Sequence, residues 1–117
     1  MELVAFLGKD RETWGQITAL INRQDWDKII LVKNKEADEF SSGKKCEIVD
    51  INSEKPMLEL KEDIMGKLKG KLSDFEVALS LASGNGKEHM AMISALLSIP
   101  VGIRLVVYTK EGVEFIN

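Results

Sequence analysis

Residues 74–97 read DFEVALSLASGNGKEHMAMISALL, and this stretch decides the fold. Phe75 to Ala82 is a largely apolar run of strand length, the pattern of a strand covered on both faces. Ser83-Gly84-Asn85-Gly86-Lys87 follows as a tight turn. After Lys87 the period becomes helical: Met90, Ile93, Leu96 and Leu97 recur along the segment until Pro100 stops it. A strand, glycine turn and helix in this order aim backbone N–H groups and the positive end of a helix at one point. That point suits an anion, most often a phosphate. Glycine lets a turn or a ligand come close to the backbone, and Lys87 adds a full positive charge on a flexible stem.

Outward from this unit the chain alternates strand and helix. Leu3 to Leu7 is an apolar strand stopped by Gly8, and Trp14, Ile17, Leu20 and Ile21 then fall on one helical face. Asp10 or Lys9 is expected to cap that helix, with Glu12 favourably placed in its first turn. Ile29 to Val32 is the second strand, residues 35–43 give at most a short helix, and Cys46 to Ile51 is the third strand. Pro56 suits the first turn of a helix whose apolar face is Met57, Leu60, Ile64, Leu68 and Leu72, weakened by Gly66 and Gly70. Past Pro100, Val101 to Tyr108 and Val113 to Ile116 flank a turn at residues 109–112. Too few residues separate these strands for a parallel crossover, so they pair as an antiparallel hairpin. The expected fold is α/β: a three-layer, Rossmann-like, mainly parallel sheet with a C-terminal β-hairpin, one domain over residues 1–117.

Composition narrows the function classes. A net charge of −3 argues against binding duplex DNA through a broad basic face, while leaving room for a small anion held by local donors. The single cysteine, Cys46, excludes an internal disulfide and a cysteine-based zinc cluster, and it reads as a small core residue. No stretch approaches the ~20 apolar residues of a membrane span. Met1 leads directly into an apolar strand without a basic leader or cleavage site, which points to a cytoplasmic protein. Trp14 and Trp26 are spaced for packing, and the mixed charges of Lys61 to Lys71 read as a solvated helix face. No metal or other cofactor is expected.

In a doubly wound sheet, ligands bind beyond the C-terminal strand ends where the strand order reverses. The first strand ends at Gly8-Lys9-Asp10-Arg11 and the fourth at Ser83-Gly84-Asn85-Gly86-Lys87, and these turns are neighbours in the usual order. Lys9, Arg11, Lys87 and two helix N-termini are then expected to face one crevice; the bland reading of Lys9 and Arg11 is two solvated first-turn cations. His89 reads either as an acid or base facing the crevice or as a surface or packed histidine, and Glu88 as a partner of the helix dipole. A Walker loop is rejected because Leu81 stands where its first glycine belongs and Glu88 where Ser or Thr must follow the lysine. Gly84-Asn85-Gly86 begins a dinucleotide fingerprint, but His89 replaces the third glycine and the turn follows the fourth strand.

The turn, its helix and the closing hairpin resemble the CARF domain, the CRISPR-associated Rossmann-like domain that binds cyclic oligoadenylates. That family carries a Thr/Ser-Gly-Gly-x-Lys turn after its fourth strand, an apolar position soon after the lysine, and an alanine-rich helix running into a hairpin. The matching residues are Ser83, Gly84, Asn85, Gly86, Lys87 and Met90, then Ala91, Ala95 and the hairpin from Val101 to Ile116. Asn85 separates the two glycines, and Met90 follows Lys87 by three positions where the family has two.

The resemblance implies a homodimer holding a two-fold cyclic oligonucleotide across two copies of the site, with Met90, Met92 and Ile93 available to the dimer face or to core packing. It also implies metal-independent ring cleavage as a candidate activity, with Lys87 stabilising charge and Ser83 or Asn85 orienting the attacking 2′-hydroxyl. Gly8, Lys9, Asp10, Arg11 and residues 83–87 are the candidate ligand-binding set. An interaction and dimerisation module of the same fold, without a nucleotide, stays open as the second reading.

Overall fold

A computed structural model describes residues 1–117. Strand β1 (Glu2–Leu7) is followed by a 3-10 turn at Arg11–Thr13 and helix α1 (Trp14–Arg23). Next come β2 (Lys28–Lys33), a 3-10 turn at Lys35–Ala37, β3 (Glu47–Asp50) and α2 (Met57–Leu68). The chain closes with β4 (Glu76–Ser80), α3 (Gly86–Ser98), β5 (Gly102–Thr109) and β6 (Gly112–Phe115). The six strands form one sheet in the order β3-β2-β1-β4-β5-β6. The first five run parallel, and β6 pairs antiparallel with β5 as the expected hairpin.

Every residue of β1 is buried, because helices cover both of its faces. Leu3, Ala5 and Leu7 pack with Ile17, Leu20 and Ile21 of α1. Val4 and Phe6 pack with Leu60, Ile64 and Leu68 of α2 and with Ala91, Met92, Ala95 and Leu96 of α3. Each fully buried Leu, Ile or Phe contributes about 1.5–3 kcal/mol relative to an exposed one, so the sheet centre is the most strongly held part of the fold. The one acid in this strand, Glu2, accepts the N–H of Ser73 at 3.0 Å and its hydroxyl at 2.9 Å. Those bonds offset the desolvation of a buried carboxylate. No helix is long and apolar enough to cross a membrane.

Several element ends differ from the sequence expectation for local reasons. Helix α1 begins at Trp14, after the 3-10 turn, and Asp10 caps no N–H of its own turn. Residues 35–43, expected to give at most a short helix, hold only the 3-10 turn at Lys35–Ala37. The third strand is shorter than residues 46–51, and Cys46 sits half-buried just before it, its Sγ donating to the Lys44 carbonyl at 3.5 Å. Pro56 is the N-cap of α2 rather than its first helical residue. That helix stops at Leu68 because Gly70 adopts φ +91°, a left-handed conformation that reverses the chain; Leu72 packs from the following loop. Phe75 lies outside β4 and is 97% exposed, although its carbonyl accepts the Gly102 N–H at 2.7 Å. Trp14 and Trp26 pack against the sheet layer and anchor through their indole N–H groups, to the carbonyls of Gly8 and Leu20, each at 2.8 Å.

Candidate functional site

Strand order reverses between β1 and β4, which pair directly, so their C-terminal turns adjoin. The contact is close enough to dictate glycine on both sides. A Cβ on Gly8 would stand 2.7 Å from the Cα of Gly84. Gly84 has φ +101°, and a Cβ there would stand 2.7 Å from Phe6 Cδ1. Ser83, fully buried, joins the turns: its Oγ accepts the Gly8 N–H at 2.8 Å and donates to Asp10 Oδ1 at 3.2 Å. The same Asp10 oxygen accepts the Gly84 N–H at 3.2 Å.

Helix α3 starts with a reciprocal cap. Asn85 Oδ1 accepts the Glu88 N–H at 2.9 Å, and Glu88 Oε1 accepts the Asn85 N–H at 2.8 Å. The Asn-x-x-Glu spacing at residues 85–88 is the sequence signal of this capping box, and it assigns Glu88 a defined hydrogen-bonding role rather than a diffuse dipole effect. The second Glu88 oxygen, nearly buried, accepts Asn34 Nδ2 at 2.9 Å and the Ser53 hydroxyl at 2.5 Å. Glu88 thereby ties the turns after β2 and β3 to the first turn of α3.

Above these turns lies a cavity of about 270 Å³ lined by Lys9, Asp10, Asn34, Glu36, Ser53, Glu54, Gly84, Asn85 and Glu88, with no apolar side chain among them. Four carboxylates against one ammonium make this wall rich in hydrogen-bond acceptors. Hydroxyl and amino groups of a ligand suit it better than a phosphate does.

The three cations expected to converge here do not. Lys9 alone lines the cavity. Arg11 turns outward, pairs with Glu39 and stacks 5.3 Å above the Trp14 ring. Lys87 Nζ donates to the Ser53 carbonyl at 2.8 Å. Arg11 and Lys87 have each found an acceptor elsewhere in the fold. Ser83, proposed to orient a reacting hydroxyl, is sealed beneath the turn with its hydroxyl engaged on both sides.

Two donors remain. The N–H groups of Gly86 and Lys87 open α3 without an acceptor in the chain. Gly86 is exposed, and nothing lies within 4 Å of where its Cβ would be. The N–H groups left free in the turn are therefore those of Gly86 and Lys87, not those of Gly84 and Asn85, which Asp10 and Glu88 already occupy.

Beyond Gly86 runs the outer flank of α3, a shallow depression of about 510 Å³ lined by Gly86, His89, Met90, Ile93, Ser94, Leu97 and Ser98. It bears no carboxylate, lysine or arginine. Met90 and Leu97 are more than 60% exposed, whereas Met92 is fully buried and so belongs to the core rather than to a dimer face. His89 faces this flank rather than the crevice, and its Nε2–H donates to the Ser83 carbonyl at 2.7 Å.

Asn34, Ser53, Glu36 and Glu54 are site residues that sequence reasoning missed. Their only signal is position: Asn34 and Glu36 follow the apolar run of β2, and Ser53 and Glu54 follow that of β3, at the same end of the sheet as the glycine turn. A scan against models of known protein families finds no match, and no curated protein matches the sequence.

Proposed function

We propose that the protein is a homodimeric sensor domain for a cyclic oligoadenylate. The observation that carries this reading is the start of α3, where Gly86 and Lys87 present two free N–H groups beside open space. A phosphate there meets the positive end of a 13-residue helix that carries Lys87 in its first turn. The neighbouring crevice, with Asp10, Glu36, Asn34 and Asn85, offers acceptors for the hydroxyl and amino donors of an adenosine unit. The turn resemblance to CARF domains is what points to the cyclic class of ligand.

A ring wider than one small site needs two copies, and the charge-free flank of α3 can meet itself across a two-fold axis without like-charge repulsion. With Ser83 sealed, the 2′-hydroxyl of any slow ring cleavage falls to the exposed Asn85, and the reading is first a sensor. Calorimetric titration with cyclic tetra- and hexaadenylate, together with light scattering at high micromolar protein, tests it. Binding of one ring per dimer supports it. A monomer that binds no ring contradicts it.

One observation favours a second reading, a dimerisation and interaction module without a nucleotide. Asp10 and Glu88 fill two of the turn's N–H groups, and four carboxylates line the crevice. A dimer that binds no cyclic oligoadenylate decides for it.

A further inference from the structure

Strand β3 is an edge of the sheet, with β2 as its one neighbour. The Ile51 N–H donates to the Lys33 carbonyl at 2.9 Å, and Lys33 stands opposite Asp50 in the parallel register. Successive residues of a strand turn their backbone groups to alternate sides, so Val49 and Ile51 face β2 while Ile48 and Asp50 face outward. Ile48 presents both its N–H and its carbonyl at this edge, and its side chain is 45% exposed. Asp50 presents only its N–H. Lys67 Nζ, from the last turn of α2, donates to its carbonyl at 2.7 Å. Asp63, one helical turn earlier, lies 3.4 Å from the same ammonium and steadies it. Lys71, past the helix, places its ammonium 3.7 Å from Glu47 of the edge strand. Lys67 and Lys71 with Ile48, Val49 and Asp50 line a shallow depression of about 360 Å³ along the edge.

We propose that the β3 edge is a surface at which a second copy of this chain can pair, and that Lys67 and Lys71 hold it closed. An uncovered strand edge is a template for another strand. The strand that matches it is β3 itself, laid antiparallel about a two-fold axis through Ile48. In that register Ile48 exchanges N–H and carbonyl with Ile48 of the second copy, and Glu47 stands opposite Val49, so no like charges face each other along the strand. The other edge, β6, has no such match. Its outward residues are Val113 and Phe115, and the register that uses both sets Glu114 against Glu114. Pairing at β3 would strip Lys67 from the Asp50 carbonyl, an acceptor at the same edge as the Ile48 groups. It would also crowd the ammonium groups of Lys67 and Lys71 from both copies onto one face of the seam, because a two-fold axis across the sheet leaves both α2 helices on that face.

Light scattering and amide hydrogen exchange of the full chain over a range of concentrations test this. The variants are Lys67→Met/Lys71→Met, which keeps both apolar stems, and the same double variant with Ile48→Pro added. Proline deletes the outward N–H of Ile48 and leaves the bonds of β3 to β2 in place. The native mass at each concentration is the baseline, so association through the α3 flank cancels. At high micromolar concentration the double variant is expected to reach roughly twice the native mass or more. Its Ile48 amide is expected to exchange about tenfold more slowly there than in native protein. Ile48→Pro is expected to return the mass to the native value, and Ile48→Lys serves as the same control should the proline variant not fold. Lys67→Arg, which keeps a donor for the Asp50 carbonyl, is expected to behave as native. A double variant with native mass and native Ile48 exchange overturns the proposal. Growth in mass that survives both substitutions of Ile48 overturns it too, and so does slow, concentration-dependent exchange of Ile48 in the native protein.

Discussion

The carboxylate of Asp10 lies 3.2 Å from the backbone nitrogen of Gly84 across 74 residues of chain, and it fills the donor that a glycine turn of this kind offers to a phosphate. The turn is thereby finished from within. Asp10 serves Gly84, Glu88 serves Asn85, and only Gly86 and Lys87 are left for a ligand.

Asp10→Ala is expected to lower stability by about 1–2 kcal/mol, because the Gly84 N–H and the Ser83 hydroxyl both lose an acceptor in a half-buried turn. Asp10→Asn keeps an oxygen at that place and should cost less. Urea denaturation measures both, and an unchanged midpoint for Asp10→Ala would show that the bond between the turns holds nothing.

The two turn glycines should respond in opposite directions. Gly84→Ala places a Cβ 2.7 Å from Phe6 Cδ1 at φ +101°, and a loss of about 2 kcal/mol or more is expected. Gly86→Ala meets no neighbour and no positive φ, so a gain of about 0.5 kcal/mol is expected from reduced freedom of the unfolded chain. If a phosphate docks at Gly86, the same substitution weakens binding. Thermal unfolding of both variants checks the pair, and equal destabilisation would contradict the assignment of separate roles.

The Ser80 hydroxyl is buried without a hydrogen-bond partner. Ser80→Ala removes an unsatisfied group of nearly the same size, so stability should hold or rise by about 1 kcal/mol. A clear loss in denaturant unfolding would mean that the hydroxyl has a partner in solution.

Lys33, at the end of β2, is nearly buried between Asp38 and Asp50, the latter 2.8 Å away. Burial alone lowers the pKa of this ammonium, but the hydrogen bonds to Asp38 and Asp50 and their charges outweigh it and hold it above the usual 10.5. A raised folded-state value stabilises the fold fully below pH 10.5, and that contribution is lost as pH climbs through the folded value. The stability difference between native protein and Lys33→Met should be constant through neutral pH and change only above about pH 10.5, in the direction of a less stable native protein. Urea midpoints of both proteins across that range measure it. A difference that stays flat to the alkaline limit would contradict the ion-paired geometry.

Much of the architecture was legible because it is written in short-range pattern. The apolar runs at 3–7 and 29–32, the helical period after Lys87 and the short gap between residues 108 and 113 specify strands, helix and hairpin with no knowledge of what packs where. The neighbouring placement of the Gly8 and Gly84 turns followed from strand order. What the site does with its polar groups was not legible. The partners of Asp10, Lys87 and Glu88 lie tens of residues away, at Gly84, Ser53 and Asn34, and no local spacing encodes those pairs. Element ends failed where one residue decides them, as at Gly70, whose positive φ ends α2 before Leu72.

Titration of cyclic oligoadenylates into native protein and Lys87→Ala tests the ligand claim most directly. Lys87 also holds the Ser53 carbonyl, so the substitution will lower stability slightly, and the affinity comparison belongs well below the unfolding transition. The native protein is expected to bind one ring per two chains, and Lys87→Ala to bind it about 10–150-fold more weakly, the loss of a charge-assisted contact of about 1.5–3 kcal/mol. Equal affinity in the two proteins, or no binding of any ring by the native protein, would contradict the claim that the start of α3 is a phosphate site.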